Sequence, residues 1–179
     1  MVALVVAGVW STVWFTREPV EILLQKAELA LIKKQYDVAE ALALQVLQRD
    51  ANSSSALVIA GDAAKELNEF DRAIAYYDRV PDDGSPAAVA ARRNAGRVYL
   101  LKKKRLTLAE DQFRRCLLQE PDDIYANDGM AYAMGVSGQY LELIPHRLKL
   151  IRSGSVNIHS LYELSLGSKL LADPIDAVP

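Results

Sequence analysis

Residues 57–77 read LVIAGDAAKELNEFDRAIAYY. Leu57, Ala60, Gly61 and Ala64 lie on one face of a helix, and after a turn Phe70, Ala73, Ile74 and Tyr77 lie on one face of another. These spacings of three and four belong to helices; a strand would alternate every second residue. The small residues suit a place where two helices cross closely, and the bulky ones suit a place where a further hairpin stacks. The stretch predicts a helical hairpin.

The same pattern extends in both directions. Upstream stand Ile22, Leu23, Ala27, Ala30 and Leu31, followed by Ala39, Leu42, Ala43, Val46 and Leu47. No segment reads as a strand. Breakers fall at 50–55, 81–86, 121–123 and 153–157, about one hairpin apart. Ala27, Gly61, Gly96 and Ala131 are separated by 34, 35 and 35 residues. Tyr36, Phe70, Leu106 and Tyr140 are separated by 34, 36 and 34, and Ala39, Ala73, Ala109 and Leu143 keep those intervals.

A two-helix period of this length resembles the tetratricopeptide repeat, and the third repeat, with Gly96, Tyr99, Ala109, Phe113, Cys116 and Pro121, matches it most fully. The resemblance implies an all-α, right-handed α-solenoid of about four hairpins, at residues 20–53, 54–86, 87–123 and 124–157. Residues 158–179 would then form part of a fifth hairpin or a capping helix. Ile175, Ala177 and Val178 near its end are apolar where a solenoid usually turns polar, which suggests an array that continues. Leu23 and Leu57 stand where the family often has a tryptophan. The turn within residues 102–106 carries an extra residue, and Pro145 falls inside the expected second helix of the fourth repeat, where a kink or a late start is expected.

Before Arg17 the character is different. Residues 1–16 carry no charge, and 12 of the first 15 are apolar. As a helix they would span about 24 Å, against roughly 30 Å of hydrocarbon. Trp10 and Trp14 suit a membrane interface. A transmembrane signal-anchor is favoured, which places the repeats outside the cytoplasm, in a periplasm if the protein is bacterial. A cleaved signal peptide would lack its basic n-region here, and a buried first helix is the other alternative.

Composition excludes several chemistries. The chain of 179 residues has one cysteine and two histidines, which argues against disulfides and against cysteine- or histidine-rich metal sites. A net charge of −2 gives no basis for nucleic-acid binding. No glycine-rich phosphate loop or nucleophile elbow occurs, so no cofactor, no small-molecule substrate and no catalytic activity is expected. Cys116 sits at a core position, and a thiol-dependent activity with His146 is the weaker alternative. Asp82 with Asp83, and Asp122 with Asp123, are expected to cap helices.

Charge is unevenly distributed. Residues 92–115 contain nine basic and two acidic side chains, between acidic flanks. Alignment with the family places Arg93, Asn94 and Arg97 on the inner groove formed by the first helices, with Tyr125, Asp128 and Tyr132 beside them. Arg93 and Arg97, four residues apart, could hold an acidic peptide segment. The family's carboxylate clamp is not expected, because Leu24 and Glu28 occupy its first-repeat positions. The expectation is therefore a scaffold that binds a protein or peptide near a membrane, in the manner of membrane-anchored bacterial tetratricopeptide proteins with envelope assembly or quality-control roles. The alternative is that the chain is the N-terminal module of a larger envelope protein whose activity lies further on.

Overall fold

Gly61 and Tyr77 meet where the opening stretch folds back on itself. A Cβ on Gly61 would stand 2.5 Å from the Tyr77 ring, so the absent side chain is what lets the two helices approach. The computed structural model describes residues 18–155 together with Leu164 and Ser165. Over these residues the chain forms α1 (Val20–Ile32), α2 (Tyr36–Leu47), α3 (Ser54–Glu66), α4 (Phe70–Asp78), α5 (Pro86–Leu101), α6 (Leu106–Gln119), α7 (Ile124–Val136) and α8 (Ile144–Arg152). No strand occurs among the described residues.

Each helix packs on the next in sequence. In addition α1 touches α3, α3 touches α5, and α5 touches α7. The second helices meet mainly through long side chains: Glu40 on α2 accepts from Arg72 Nη2 at 2.6 Å and from the Tyr76 hydroxyl at 3.2 Å, both on α4. A stack that is tighter along one edge curves toward it, so the first helices line the inner face. The repeat frame forms the core. Ala27, Ala131, Ala39, Ala73, Ala109 and Leu143 are fully buried, Gly61 and Gly96 are buried, and Tyr36, Phe70, Leu106 and Tyr140 are half-buried at the turns.

The hairpin turns share one device. Lys34, Asn68 and Lys104 take positive φ of 59°, 64° and 51°, and Gly138 does so at 74°. This conformation lets the next N–H reach back to the preceding helix. Gln35 donates to the Ala30 carbonyl at 2.8 Å, Glu69 to Ala64 at 2.9 Å and Gln139 to Met134 at 2.8 Å. In the third turn Arg105 donates to Tyr99 at 2.9 Å, one residue further back, which absorbs the extra residue. Pro145 delays the last helix rather than kinking it. Residues 140–143 form turns, α8 begins at Ile144, and proline lies in its first turn, where its missing N–H has no helical acceptor to lose.

Among the described residues apolar burial falls into three clusters: a small one of Ala30, Ala39 and Ala63 at the first turn, and two larger ones that meet on α5. The first of the larger two runs from Leu23 to Val98; the other joins Leu100 to α6 and α7 around Phe113. Arg92, 1 % exposed, ties the α4–α5 loop to the first cluster: it donates to the Tyr77 carbonyl at 3.1 Å, to the Val80 carbonyl and to Asp82 at 2.6 Å. Asp82 is thus an ion-pair partner of Arg92 and Arg115, and the α5 cap is Ser85, whose Oγ accepts from Ala88 N at 3.2 Å. Asp83 braces that cap by accepting from Ser85 N at 2.9 Å. Asp123 does cap α7, accepting from Ala126 N at 2.7 Å.

The expected membrane segment at residues 1–16 lies outside the described residues, as does the expected fifth hairpin apart from Leu164 and Ser165, which are helical. Among the described residues no helix is long and apolar enough to cross a membrane.

Candidate functional site

The repeat frame determines which side chains face the inner groove. The residue after the small one in each first helix is Glu28, Asp62, Arg97 and Tyr132, and four residues earlier stand Leu24, Val58, Arg93 and Asp128. The groove therefore changes from acidic on α1 and α3 to basic on α5 and aromatic on α7.

The three α5 candidates have different situations. Arg93 reaches toward α7: Nη1 donates to Asp123 Oδ2 at 2.8 Å, and the guanidinium carbon lies 5.4 Å from the centre of the Tyr125 ring. Asn94 reaches toward α3 and is buried, with Nδ2 donating to Asp62 Oδ1 at 2.8 Å. Arg97 is exposed and pairs with no carboxylate among the described residues. The pair expected to act together is thus divided, with Arg93 committed to a neighbouring repeat and Arg97 open to solvent.

Asp62 is a groove residue that the sequence reading passed over, although it occupies the same repeat position as Arg97. Its Oδ1 accepts from Lys65 at 3.0 Å, from the Tyr77 hydroxyl at 2.7 Å and from Asn94. Burial first, and then the Asp62 carboxylate, push the Tyr77 hydroxyl far above its ordinary value, so it stays a donor. Between α3 and α5 this leaves a notch of about 250 Å³, lined by Lys65, Arg97 and Lys102, by the Glu66 carboxylate 3.6 Å from Lys65 Nζ, and by the apolar Val98 and Leu101. Lys102 Nζ also lies 5.4 Å from the centre of the Phe70 ring.

On α7 Tyr125 and Tyr132 are 61 % and 44 % exposed, two helical turns apart, and both offer open ring surface. Asp128, between them in sequence, accepts from Arg147 Nη1 on α8 at 2.8 Å. Cys116 is fully buried and its Sγ contacts the Val89 carbonyl at 3.6 Å. Burial, with Asp123 nearby, pushes the thiol up to about 12, so at neutral pH it carries almost no thiolate. His146 Nδ1 lies 2.8 Å from Asn127 Oδ1, whereas the Cys116 thiol is directed at Val89. No group of side chains suited to a metal ion occurs among the described residues.

The fold has known relatives. In structure the chain is similar to MamA from AMB-1, with a TM-score of 0.60 at 19% identity over 83% of this chain and 78% of that one. It is likewise similar to MamA from MSR-1, with a TM-score of 0.58 at 20% identity over 75% of this chain and 76% of that one. No curated protein matches it. The tetratricopeptide repeat model matches residues 24–86 and again residues 60–124, which together cover more than half of the sequence. With the helical hairpins, the shared inner edge and the repeat frame all in place, the chain belongs to the tetratricopeptide repeat family.

Proposed function

We propose that the protein is a non-enzymatic scaffold whose inner groove binds a peptide or protein segment bearing acidic side chains. The observation that carries this reading is the contrast on α5: Arg93 and Asn94 are spent on repeat-to-repeat contacts, whereas Arg97 is exposed and unpaired among the described residues, beside a notch that Lys65 and Lys102 also line. A carboxylate entering there meets the Arg97 guanidinium, which no described carboxylate shares, and the open rings of Tyr125 and Tyr132 extend the contact along α7. Because the stacking of repeats fixes the groove in advance, little order has to be imposed on binding.

The uncharged residues 1–16 support tethering of this scaffold to a membrane, with the repeats on the extracytoplasmic, periplasmic side and a role in envelope assembly or quality control. The groove reading is tested by capturing partners from membrane extracts with the full chain and with Arg97→Ala. The expected result is loss of the captured partner with the circular dichroism spectrum unchanged. Retention of the same partner with the same salt dependence overturns the groove site.

A further inference from the structure

The outward face of α1 carries an apolar stripe that nothing in the described fold covers. Ile22, Gln25, Leu29 and Ile32 recur at intervals of three and four along one side of the helix, opposite the buried Leu23, Ala27 and Ala30. All four are exposed, the three aliphatic ones by 40 %, 48 % and 77 %. In the next repeat the counterparts of Ile22 and Leu29 are Ala56 and Ala63, both fully buried. The later repeats bury these positions too, as Ala91 with Val98 and Ala126 with Ala133, while α1 places large aliphatic side chains there and leaves them open.

The charges on either side of the stripe are ordered. In a heptad frame Ile22 and Leu29 fall at a, and Gln25 and Ile32 at d. The g positions are then Glu21 and Glu28, and the e positions Lys26 and Lys33, all exposed. In a parallel pair of such helices each g residue faces the e residue five positions on in the other copy. Glu21 meets the second copy's Lys26, and Glu28 its Lys33, with the same two contacts repeated by symmetry. An antiparallel pair would instead set glutamate beside glutamate and lysine beside lysine. Lys26 is held at 2.5 Å by Glu18 in the single chain, but both groups are at the surface and that pair exchanges readily.

We propose that the α1 face is a homodimer interface, in which the first helices of two copies pair in parallel along this stripe. Parallel pairing brings both N-termini to the same side, as two chains tethered in one membrane require. Two heptads bury less than the roughly 1,200 Å² of a stable interface, so the dimer forms weakly in solution and more fully where a shared surface concentrates the chains.

The test uses the full chain carrying Ile22→Cys, with Leu118→Cys on α6 as a control that is more exposed than Ile22. The native Cys116 is buried and does not compete. Under mild oxidation Ile22→Cys should give a covalent dimer at least tenfold faster than Leu118→Cys, since parallel a positions lie within disulfide reach while antiparallel ones at this site are about 15 Å apart along the axis. Charge exchange provides the second arm. The double variant Glu21→Lys/Glu28→Lys and the double variant Lys26→Glu/Lys33→Glu, each with unchanged circular dichroism, should be monomeric alone in sedimentation and should associate when mixed, both read at a chain concentration high enough to populate a weak pair. Equal cross-linking of the two cysteine variants, or a mixture that stays monomeric, overturns the proposal and leaves the stripe to another partner or to lipid.

Discussion

The ring of Phe113 lies against the bare α-carbon of Gly129, across the boundary between the third and fourth hairpins. A methyl group on Gly129 would stand 2.3 Å from the ring's Cζ, and Phe113 itself is fully buried. On the other side Gly96 gives the same ring room, with its Cβ position 2.6 Å away. Gly129→Ala gains about 1 kcal/mol of helix propensity but forces a core aromatic to move. The net expectation is a loss of about 1–2 kcal/mol, measured as a lower urea midpoint with the slope unchanged. Adding Phe113→Leu should recover part of that loss in a double-mutant cycle, whereas two additive penalties would show that the ring is not the obstacle.

Arg92 is the interior charge on which the α4–α5 loop depends. Arg92→Met leaves the Tyr77 and Val80 carbonyls without their donor and Asp82 without one of its two cations. A loss of about 2–4 kcal/mol follows, mostly from leaving the two buried carbonyls without a donor, since the Asp82 carboxylate is partly exposed and keeps Arg115. Arg92→Lys should recover little of it, because one ammonium cannot span three acceptors arranged around a planar fork. Thermal denaturation of the two variants checks this, and near-native stability of the lysine form would contradict the geometry.

Asp82 gives that loop an acid limit. Burial alone would raise its pKa, but the hydrogen bonds and charges of Arg92 and Arg115 outweigh it and hold the carboxyl below the ordinary carboxylate range. A depressed folded value means stability that is complete above the unfolded value of about 3.9 and lost as pH falls toward the lower folded value. Asp82→Asn should therefore be less stable than the natural chain at pH 7, with the gap narrowing below pH 4. Parallel stability curves over pH 7 to 3 would show that Asp82 carries no such linkage.

His146 responds in a higher window. Burial, then the nearby charges of Lys149 and Arg147, lower its pKa from the usual 6.5 or so. Asn127 Nδ2 already donates to the carbonyls of Pro121 and Asp123, so its Oδ1 is the acceptor and His146 Nδ1 carries the proton in the neutral ring. As pH drops below about 6.5 the unfolded chain takes up a proton that the folded one resists, and the α7–α8 contact weakens. Hydrogen exchange should show α8 losing protection between pH 7 and 5, and His146→Gln should flatten that dependence.

Cys116 should behave as core. A thiol-specific reagent at pH 8 is expected to label the native protein only as fast as it opens, and denaturant should accelerate labelling by orders of magnitude. Fast stoichiometric labelling of the folded chain would reopen a thiol-based activity.

The architecture was legible because one face of each helix repeats its chemistry. The intervals between Ala27, Gly61, Gly96 and Ala131 mark places where backbone meets backbone, and only small residues satisfy that demand. The groove was legible only in outline. Its frame assigns positions to Arg93, Asn94 and Arg97, but not which of them a neighbouring repeat engages. That depends on Asp123 and Asp62, 30 and 32 residues away from their partners. Arg92 sits beside Arg93 in the same basic run, yet one helical step turns it from the groove into the core. Asp82 departs from expectation for a related reason: a turn aspartate reads as a cap, and the arginine that engages it lies ten residues on.

The first helices touch along the inner edge, while Glu40 reaches Arg72 and Tyr76 across the outer one through flexible side chains. Such an object is compliant in one direction. Its inner seam behaves as a hinge line and its outer polar contacts as soft springs, so the curvature can relax or tighten without disturbing the alanine-lined crossings. A segment somewhat longer or shorter than the resting groove can then be accommodated by bending shared over several repeats, at small strain in any one of them.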